Sequence, residues 1–445
     1  MHLFNLKRSR ILLNMTALSV ALSVGLAGCN GSSENEQAAS QPEFEAVMSS
    51  VPRHTASVGA PEFNTFIQNN TEFALSFYQS LANTPETKGK NVVYSPYSIS
   101  TVMAMAYAGA AEQTAEQMAS ALHFQQATNA VHEGFNALSQ ALAQRNRQLQ
   151  ANYGVALNNA NVLWLDQNTE PQLALLDTLA GYYGAGVHLS DFYGAPELAR
   201  KSINQWVAEQ TNDMIKPLIP EGQISSDTAF VLVNAIYMNA QWRAPFTTSP
   251  EYSEPFYTGN GESVNVQMMR QVESMGYAQL PGLEVVRLPY AGHELSMVVM
   301  VPNAGEFEQF EQNLTRAQLE QVRNALQSKV VDFGLPAFSF TTQARLNELL
   351  SERGMEHAFN PALADFSGIN GAYNLYLTAV QHMAAIHVNE KGTTASAASA
   401  AIGGVTSIPV AEAQLTVDRP FLFAIQDDVT GALLFLGRVL NPAEE

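Results

Sequence analysis

The sequence predicts an α+β fold with mostly antiparallel β-sheet. Helix-like and strand-like segments follow one another without strict alternation, which argues against a doubly wound parallel sheet. Residues 63–81 carry apolar side chains at helical spacing, whereas residues 155–165 read as a buried strand. Of the 445 residues, 46% are hydrophobic, so the chain can bury a large core. Length alone suggests two or three domains, yet no Pro/Gly/Ser-rich break interrupts residues 60–445.

Further helices are predicted from capping residues and apolar spacing. Ser95 suits an N-cap and Pro96 suits the first helical turn, and residues 99–111 after them are nearly all apolar. Other helices are expected at residues 173–183 and 197–215. The Gly-rich residues 181–186 lack the last glycine of a dinucleotide-binding loop, so they are read as a helix stop and turn.

Buried strands are predicted towards the carboxyl end of the chain. Residues 375–389, 419–425 and 433–439 are apolar and strand-like. Between the first two lies a tract of small residues, 390–409, that contains no aromatic side chain. Such composition is typical of a flexible linker. Because core strands hold both of its ends, we expect a mobile loop that could insert between strands without steric hindrance.

Several motifs, together with this tract, resemble the serpin family of suicide protease inhibitors. They occur in the family's order from about residue 65 to residue 442. The matching segments are residues 91–100 (NVVYSPYSIS), 232–246 (LVNAIYMNAQWRAPF), 266–270 (VQMMR), 335–339 (LPAFS), 364–369 (ADFSGI) and 435–442 (FLGRVLNP). The resemblance implies one serpin domain over residues 61–445, with about nine helices around three mainly antiparallel β-sheets.

The resemblance also implies an exposed reactive-centre loop at about residues 390–410. In serpins this loop becomes an extra strand of the central sheet after cleavage, which traps the protease as an acyl-enzyme. The hinge of the loop would comprise Glu390, Gly392, Thr393, Thr394, Ala395, Ser396, Ala397 and Ala398. The family more often has Glu where Thr394 stands, a mild departure on a face expected to contact solvent.

Two polar sites that control the opening of the sheet are implied in the same way. The shutter would comprise Ser95, Ser98, Asn234 and His382. Taken alone, His382 would be interpreted as a hydrogen-bonded histidine of the core. The shutter is itself a buried hydrogen-bond network, so the structural and the functional interpretations of His382 agree. Trp242 resembles a residue of the breach, where insertion begins, with Glu390 close to it.

The scissile bond is expected between Thr406 and Ser407. Thr406 stands 16 residues after Glu390, which is the usual spacing in inhibitory serpins. Because the residues before this bond are small and uncharged, elastase-like and subtilisin-like proteases fit better than trypsin-like ones. Papain-like cysteine proteases are an alternative class of target. The bonds after Ile402 and Val405 are alternative cleavage sites.

The amino-terminal residues 1–28 have the form of a lipoprotein signal peptide. A basic stretch containing Lys7, Arg8 and Arg10 precedes the apolar residues 11–26, and a lipobox-like sequence ends at Cys29. We expect Cys29 to be lipidated and to anchor the protein in a membrane. Residues 29–60 are polar and contain several prolines, so they are expected to form a flexible tether. Asn30 after the cysteine favours a cell-envelope lipoprotein of the outer membrane, periplasmic or surface-exposed.

Charge and motif content exclude several other functions. The formal net charge is −19, and it becomes −22 once Lys7, Arg8 and Arg10 are removed, so nucleic acids and heparin-like polyanions are unfavourable partners. The single cysteine excludes intramolecular disulfides. We find no catalytic motif, so no enzyme activity, cofactor or metal is expected.

Three further expectations concern histidines, oligomeric state and an alternative function. His382 and His387 should point to opposite faces of one strand, and His132 and His293 should be surface residues. A monomer is expected. The alternative function is that of a non-inhibitory serpin acting as a surface carrier or structural protein; the absence of charge and proline in the hinge disfavours it.

Overall fold

The computed structural model describes residues 44–59, 61–393 and 410–444 of the chain, and it has the predicted α+β architecture. A π-helical turn at Leu179–Tyr183 continues the fifth α-helix, and a 3-10 turn lies at Pro250–Tyr252. The α-helices of this part are α1 (Pro61–Leu81), α2 (Pro96–Tyr107), α3 (Glu112–Ala121), α4 (Thr128–Tyr153), α5 (Leu173–Thr178), α6 (Pro196–Gln210), α7 (Phe307–Gln312), α8 (Arg316–Ala325), α9 (Asn347–Glu352), α10 (Glu356–Phe359) and α11 (Ser367–Asn370).

The strands form two large sheets. They are β1 (Glu45–Val47), β2 (Val92–Tyr94), β3 (Ala156–Asp166), β4 (Val187–Ser190), β5 (Phe230–Gln241), β6 (Ser253–Tyr257), β7 (Ser263–Leu280), β8 (Leu283–Pro289), β9 (Leu295–Pro302), β10 (Gln327–Pro336), β11 (Phe338–Arg345), β12 (Leu377–Asn389), β13 (Gly392–Thr393), β14 (Ala413–Thr416), β15 (Phe421–Asp427) and β16 (Leu433–Val439). None of the helices in the described ranges is long and apolar enough to cross a membrane.

The sheet that matters for function has seven strands in the order β1-β4-β3-β5-β13-β12-β11. Its neighbouring strands are antiparallel except for β3 with β4 and β5 with β12. The second sheet has the order β14-β10-β7-β8-β9-β15-β16-β2, and β6 pairs with β7 beside it. The resemblance implies three sheets. Strands β7 and β10 are long enough that two of these three form one continuous sheet here.

Two apolar cores flank the seven-stranded sheet. The larger one includes α1, α2 and the second sheet, whereas the smaller one packs α6 against β3 and β5. Helix α2 is buried along its whole length, which agrees with its nearly all-apolar sequence. Its N-cap is Ser95, whose side chain accepts a hydrogen bond from the Ser98 amide, and Pro96 occupies its first turn, as predicted.

Most predicted elements are present, and their ends differ by a few residues. The largest difference is at α6, which was expected to extend to residue 215 and ends at Gln210. Asn212 and Asp213 have φ values of 51° and 62°, so the chain turns through the left-handed region and cannot continue the helix. The apolar residue Ile215 is buried in the smaller core from the loop that follows.

Residues 44–59 belong to the folded domain, so the expected tether is wrong for this stretch. Strand β1 adds to the free edge of the seven-stranded sheet by pairing with β4. This stretch also belongs to the same compact unit as the rest of the domain. A three-residue strand among polar residues is too short to show a period of two in the sequence, which is why composition alone suggested a linker.

The expected position of His132 is also wrong, since its side chain is only 2% exposed. It lies on α4, and its Nδ1 is 2.6 Å from the Tyr183 hydroxyl. His382 and His387 do lie on opposite faces of β12, the first buried and the second exposed.

Candidate functional site

Four side chains predicted to form the shutter meet at the centre of the seven-stranded sheet. Asn234 of β5 and His382 of β12 are partners in the parallel register, and Ser95 and Ser98 approach them from the start of α2. All four residues are completely buried. The cluster therefore lies where the two parallel strands would have to separate to admit another strand.

The hydrogen bonds of the shutter fix which nitrogen of His382 carries the proton. The Ser95 amide donates to His382 Nε2 over 3.3 Å, so Nε2 is the acceptor. His382 Nδ1 must then carry the hydrogen and donate to Asn234 Oδ1, 2.5 Å away. The Asn234 amide nitrogen in turn donates to the Ser98 hydroxyl over 2.5 Å. Both ring nitrogens of the neutral imidazole are thus used.

Burial keeps this imidazole neutral. Desolvation lowers the pKa of His382 from its usual 6.5 to about 3. A second proton would also turn Nε2 into a donor that faces the Ser95 amide hydrogen. The network is therefore intact only with a neutral histidine.

A fifth member of the shutter, Asn161, was missed by the sequence analysis. It lies on β3 directly opposite Asn234, whose Nδ2 donates to Asn161 Oδ1 over 2.6 Å. The Ser98 hydroxyl donates to the same oxygen over 3.2 Å. The segment around residue 161 was predicted as a buried strand, and a polar residue in such a strand was a signal. Only the register between β3 and β5 identifies its partner.

Replacement of Asn161 by alanine is expected to destabilise the protein by about 1–3 kcal/mol, because a buried donor of Asn234 loses its acceptor. Chemical denaturation of the variant would measure this loss. Asn158 is a matched control, since it lies half-buried on the same strand. A loss for Asn161→Ala no larger than that for Asn158→Ala would contradict the role of Asn161 in the network.

Above the shutter, the hinge already separates β5 from β12. Their direct pairing runs from Leu377 with Phe230 to Ala384 with Ile236. Beyond it, β13 lies between the two strands. Gly392 is opposite Gln241 and Asn389, and Thr393 is opposite Ala240 and Val388. The chain thus turns back from β12 and starts a new central strand at this end of the sheet.

Gly392 is required by the close approach of β5. A Cβ at this position would lie 2.0 Å from the Ala240 carbonyl oxygen, which no real side chain tolerates. The turn before it is held by Asn389, whose side-chain oxygen accepts from the amides of Lys391 (2.9 Å) and Gly392 (3.1 Å). Any other residue at 392 would push the hinge out of the sheet.

Trp242, predicted to belong to the breach, fixes the same turn from the β5 side. Its indole nitrogen donates to the Asn389 carbonyl over 2.9 Å, and its backbone amide donates to the Lys391 carbonyl over 2.8 Å. The Phe246 amide donates to the Glu390 carbonyl over 2.8 Å. The predicted proximity of Trp242 and Glu390 is therefore present.

Tyr290 is a second residue of this site that the sequence analysis missed. Its ring stacks on Trp242 with centroids 4.6 Å apart, and its hydroxyl lies 2.7 Å from the Thr393 hydroxyl. Both side chains of this hydrogen bond are buried. Burial also raises the pKa of Tyr290 well above its usual range, so the phenol stays protonated. The hydroxyl of Thr393, the second residue of β13, thus has a buried polar partner.

Other predicted residues lie outside the described part of the chain. These are the hinge positions Thr394, Ala395, Ser396, Ala397 and Ala398, the scissile pair Thr406 and Ser407, and the lipidation site Cys29. The described residues therefore bring together the residues predicted for the shutter and for the breach, and the first three predicted hinge positions, Glu390, Gly392 and Thr393.

Comparison with known proteins agrees with this geometry. A family model described as "Serpin (serine protease inhibitor)" matches residues 68–442. The leukocyte elastase inhibitor of Xenopus laevis is 33% identical over 379 residues, which are 84% of this chain and 98% of that protein.

Solved structures of serpins share the fold. Native tengpin, a thermophilic serpin, superposes with a TM-score of 0.77 at 25% identity, covering 90% of this chain and all of that one. Human thyroxine-binding globulin in complex with its hormone gives a TM-score of 0.74 at 27% identity, covering 86% of this chain and all of that one. The sequence match, the single α+β domain and the hinge between β5 and β12 lead to one conclusion: the chain belongs to the serpin family, whose members are generally non-enzymatic protease inhibitors.

Proposed function

We propose that this serpin is a suicide inhibitor of endopeptidases that traps the acyl-enzyme by inserting its cleaved loop into the seven-stranded sheet. The observation that carries the proposal is β13, in which Gly392 and Thr393 already pair with both β5 and β12. The new strand has thus begun at one end of the sheet, and its continuation has to separate the pairing of β5 with β12 below it.

The residues that follow in the sequence suit a strand inserted between two others, because none of their side chains is large or charged. From Thr394 to Ala401 every residue is Ala, Ser or Thr. A strand of about 14 residues would extend over roughly 45 Å at about 3.3 Å per residue, enough to carry a bound protease along the whole sheet. Shutter hydrogen bonds that join β5 to β12 would break and re-form around the inserted strand.

The chemistry of inhibition belongs to the target protease. Its nucleophile attacks the Thr406 carbonyl carbon, the Thr406–Ser407 bond breaks, and Ser407 leaves as a protonated amine. The acyl-enzyme on Thr406 is then carried away by the inserting loop before water can release it. This chain supplies the peptide bond that is cleaved and the free energy of strand insertion, with no catalytic residue of its own.

The small, uncharged residues around Thr406 favour serine proteases with shallow apolar pockets, of the elastase or subtilisin type. The similarity to a leukocyte elastase inhibitor supports this class. Papain-like cysteine proteases form an equivalent acyl-enzyme and are a further candidate class.

The test is incubation with an elastase, a subtilisin, a trypsin and a papain-like protease. We expect SDS-stable complexes with the elastase or the subtilisin and none with trypsin. Mass spectrometry of the released peptide should place the cut after Thr406, with Ile402 and Val405 as the neighbouring alternatives. Clean cleavage by every protease without a trapped complex would contradict the proposal.

The alternative is a non-inhibitory carrier, which the similarity in fold to thyroxine-binding globulin favours. Thermal unfolding before and after cleavage of the loop separates the two functions. An inhibitor should gain a large increase in melting temperature when the cleaved loop inserts, whereas a carrier whose sheet does not admit the loop should not.

We further propose that the protein is a lipoprotein of the cell envelope, held in the outer membrane through Cys29. The basic, apolar and lipobox-like segments of residues 1–29 support this location. The membrane fraction should lose the protein when Cys29 is replaced by serine. Equal membrane association of the Cys29→Ser protein would contradict lipid anchoring.

A further inference from the structure

Residues 44–59, here called the strap, hold the edge of the seven-stranded sheet to the helices beside it. The strap precedes the region matched by the serpin family model, which begins at residue 68. Its strand β1 pairs with β4 through Glu45 opposite Leu189 and Val47 opposite Val187.

An aromatic cluster fastens the first residue of the strap. The Phe44 ring stacks on His188 at a centroid distance of 4.3 Å and meets the edge of Trp164 at 4.9 Å. Trp206 of α6 completes the cluster, 5.2 Å from His188 and 6.1 Å from Trp164. The strap therefore contacts β3 and β4 directly, and Trp206 of α6 packs on the same two side chains that Phe44 contacts.

Polar contacts fasten the other half of the strap to α4 and to the π-helical turn. Arg53 donates through Nε to Asn136 Oδ1 over 2.9 Å, through Nη1 to the Tyr183 carbonyl over 2.7 Å, and through Nη2 to the Ser139 hydroxyl over 2.5 Å. The His54 amide donates to the Gly181 carbonyl over 2.8 Å. The His54 carbonyl accepts from Asn136 over 3.0 Å.

The glycines of the sequence 181–186 form the surface on which the strap lies. A Cβ on Gly181 would lie 2.4 Å from the His54 ring, one on Gly184 would lie 2.7 Å from Arg53, and one on Gly186 would lie 2.1 Å from the Val47 carbonyl oxygen. Gly184 also has a φ of 62°, which the turn itself requires. At Gly186 the backbone has no such requirement, so close contact with the strap explains the glycine.

We propose that the strap restrains the expansion of the seven-stranded sheet and so keeps the reactive-centre loop from inserting before a protease cuts it. This inference rests on the proposed inhibitory function. Insertion moves the strands β1, β4, β3 and β5 away from β12 by about one strand spacing, roughly 4.8 Å. The strap is bonded at one end to β4, which belongs to the moving strands.

Its other end is bonded to α4, which packs against α1 and α2 under the sheet as well as against β3. A shift of β4 relative to α4 therefore has to break the contacts of Arg53 and His54 or those of β1. Because these hydrogen bonds oppose the shift, loss of the strap's polar contacts should accelerate expansion by about tenfold or more.

The test uses the full chain with two strap variants and a matched control for each. Gly186→Ala forces a Cβ against Val47, and Gly259→Ala is its control because a Cβ there meets only ordinary contacts at 3.8 Å or more. Arg53→Met removes the guanidinium contacts, and Arg147→Met is its control because Arg147 is an exposed arginine of α4, the helix that Arg53 contacts. Each protein is incubated without protease below its thermal transition, and the conversion to a heat-resistant, loop-inserted form is followed over time.

We expect both strap variants to convert about tenfold faster than the unaltered protein and both controls to convert at its rate. If Gly186→Ala does not fold, Arg53→Met decides the question. Conversion of the strap variants at the unaltered rate, or plain unfolding without a heat-resistant form, would overturn the inference. If the strap variants convert at the rate of the unaltered protein and proteases are trapped normally, the restraint by the strap is refuted and the inhibitory function is not. If the strap variants convert faster but no protease is trapped, the proposed inhibitory function is refuted and the restraining role of the strap is retained.

Discussion

Replacement of Thr393 by arginine is expected to turn this protein from an inhibitor into a substrate. Thr393 is 2% exposed, and its hydroxyl is hydrogen-bonded to the buried Tyr290. An arginine here would have to bury a guanidinium without a counter-charge, at a cost of several kcal/mol. The hinge should then stay outside the sheet, so insertion should be slower than hydrolysis of the acyl-enzyme.

The expected result is cleavage at the same bond with a loss of at least about tenfold in the fraction of protease that is trapped, since 1.4 kcal/mol corresponds to a factor of ten in a rate. Gel electrophoresis of the variant with the protease that the unaltered protein traps would measure the ratio of complex to cleaved chain. Val410→Arg is a matched control, because Val410 is 89% exposed beyond the scissile bond and does not enter the sheet. Undiminished trapping by Thr393→Arg would show that insertion at this position does not limit inhibition.

A milder replacement at the same position separates the effect of losing the hydrogen bond from the effect of burying a charge. Thr393→Val keeps the shape of the side chain and removes only the hydroxyl that meets Tyr290. The arginine variant should therefore lose far more inhibition than the valine variant.

The elements with strong local signals could be predicted from the sequence. Ser95 and Pro96 mark the start of α2 through the preferences of an N-cap and a first turn, and the structure has the helix there. The uninterrupted apolar residues of β16 indicate a strand at Leu433–Val439, and its bounds agree with the prediction. Such local preferences do not depend on which other parts of the chain lie nearby.

The features that the sequence analysis did not identify depend instead on the register between distant strands. Asn161, Tyr290 and the strap acquire their roles only when distant strands are aligned. Asn161 is 73 residues from Asn234, and Tyr290 is 103 residues from Thr393. A single sequence shows that such residues are polar or aromatic, and it does not show which partner they meet.

The buried His132 and His382 and the half-buried His188 lead to the second large prediction, an acid-induced loss of stability. Burial lowers the pKa of His132 and of His188 from 6.5 to about 4, and that of His382 to about 3. In the unfolded chain these groups take up protons below about pH 6.5, whereas in the folded protein they stay neutral. The unfolded state therefore binds more protons between these pKa values, so the free energy of unfolding falls as the pH falls.

The size of the effect follows from the cost of about 1.4 kcal/mol per pKa unit for each histidine. Between about pH 7 and about pH 5, each of the three should lose about 2 kcal/mol, and together about 6 kcal/mol. This loss would be a large fraction of the stability of a typical protein. His382 contributes to the loss because its imidazole has to stay neutral to accept the hydrogen bond from the Ser95 amide in the folded shutter.

Denaturant unfolding over this pH range measures the effect, and one variant assigns part of it. His188→Phe keeps an aromatic ring against Phe44 and Trp164 and cannot take up a proton. It should be about as stable as the unaltered protein near pH 7 and lose about 2 kcal/mol less by about pH 5. His387→Gln is the control, because His387 is exposed on β12 and lies outside the cluster of His188, Phe44 and Trp164. A pH dependence of His188→Phe identical to that of the unaltered protein would mean that His188 is protonated in the folded state, against its packing between the rings of Phe44 and Trp164.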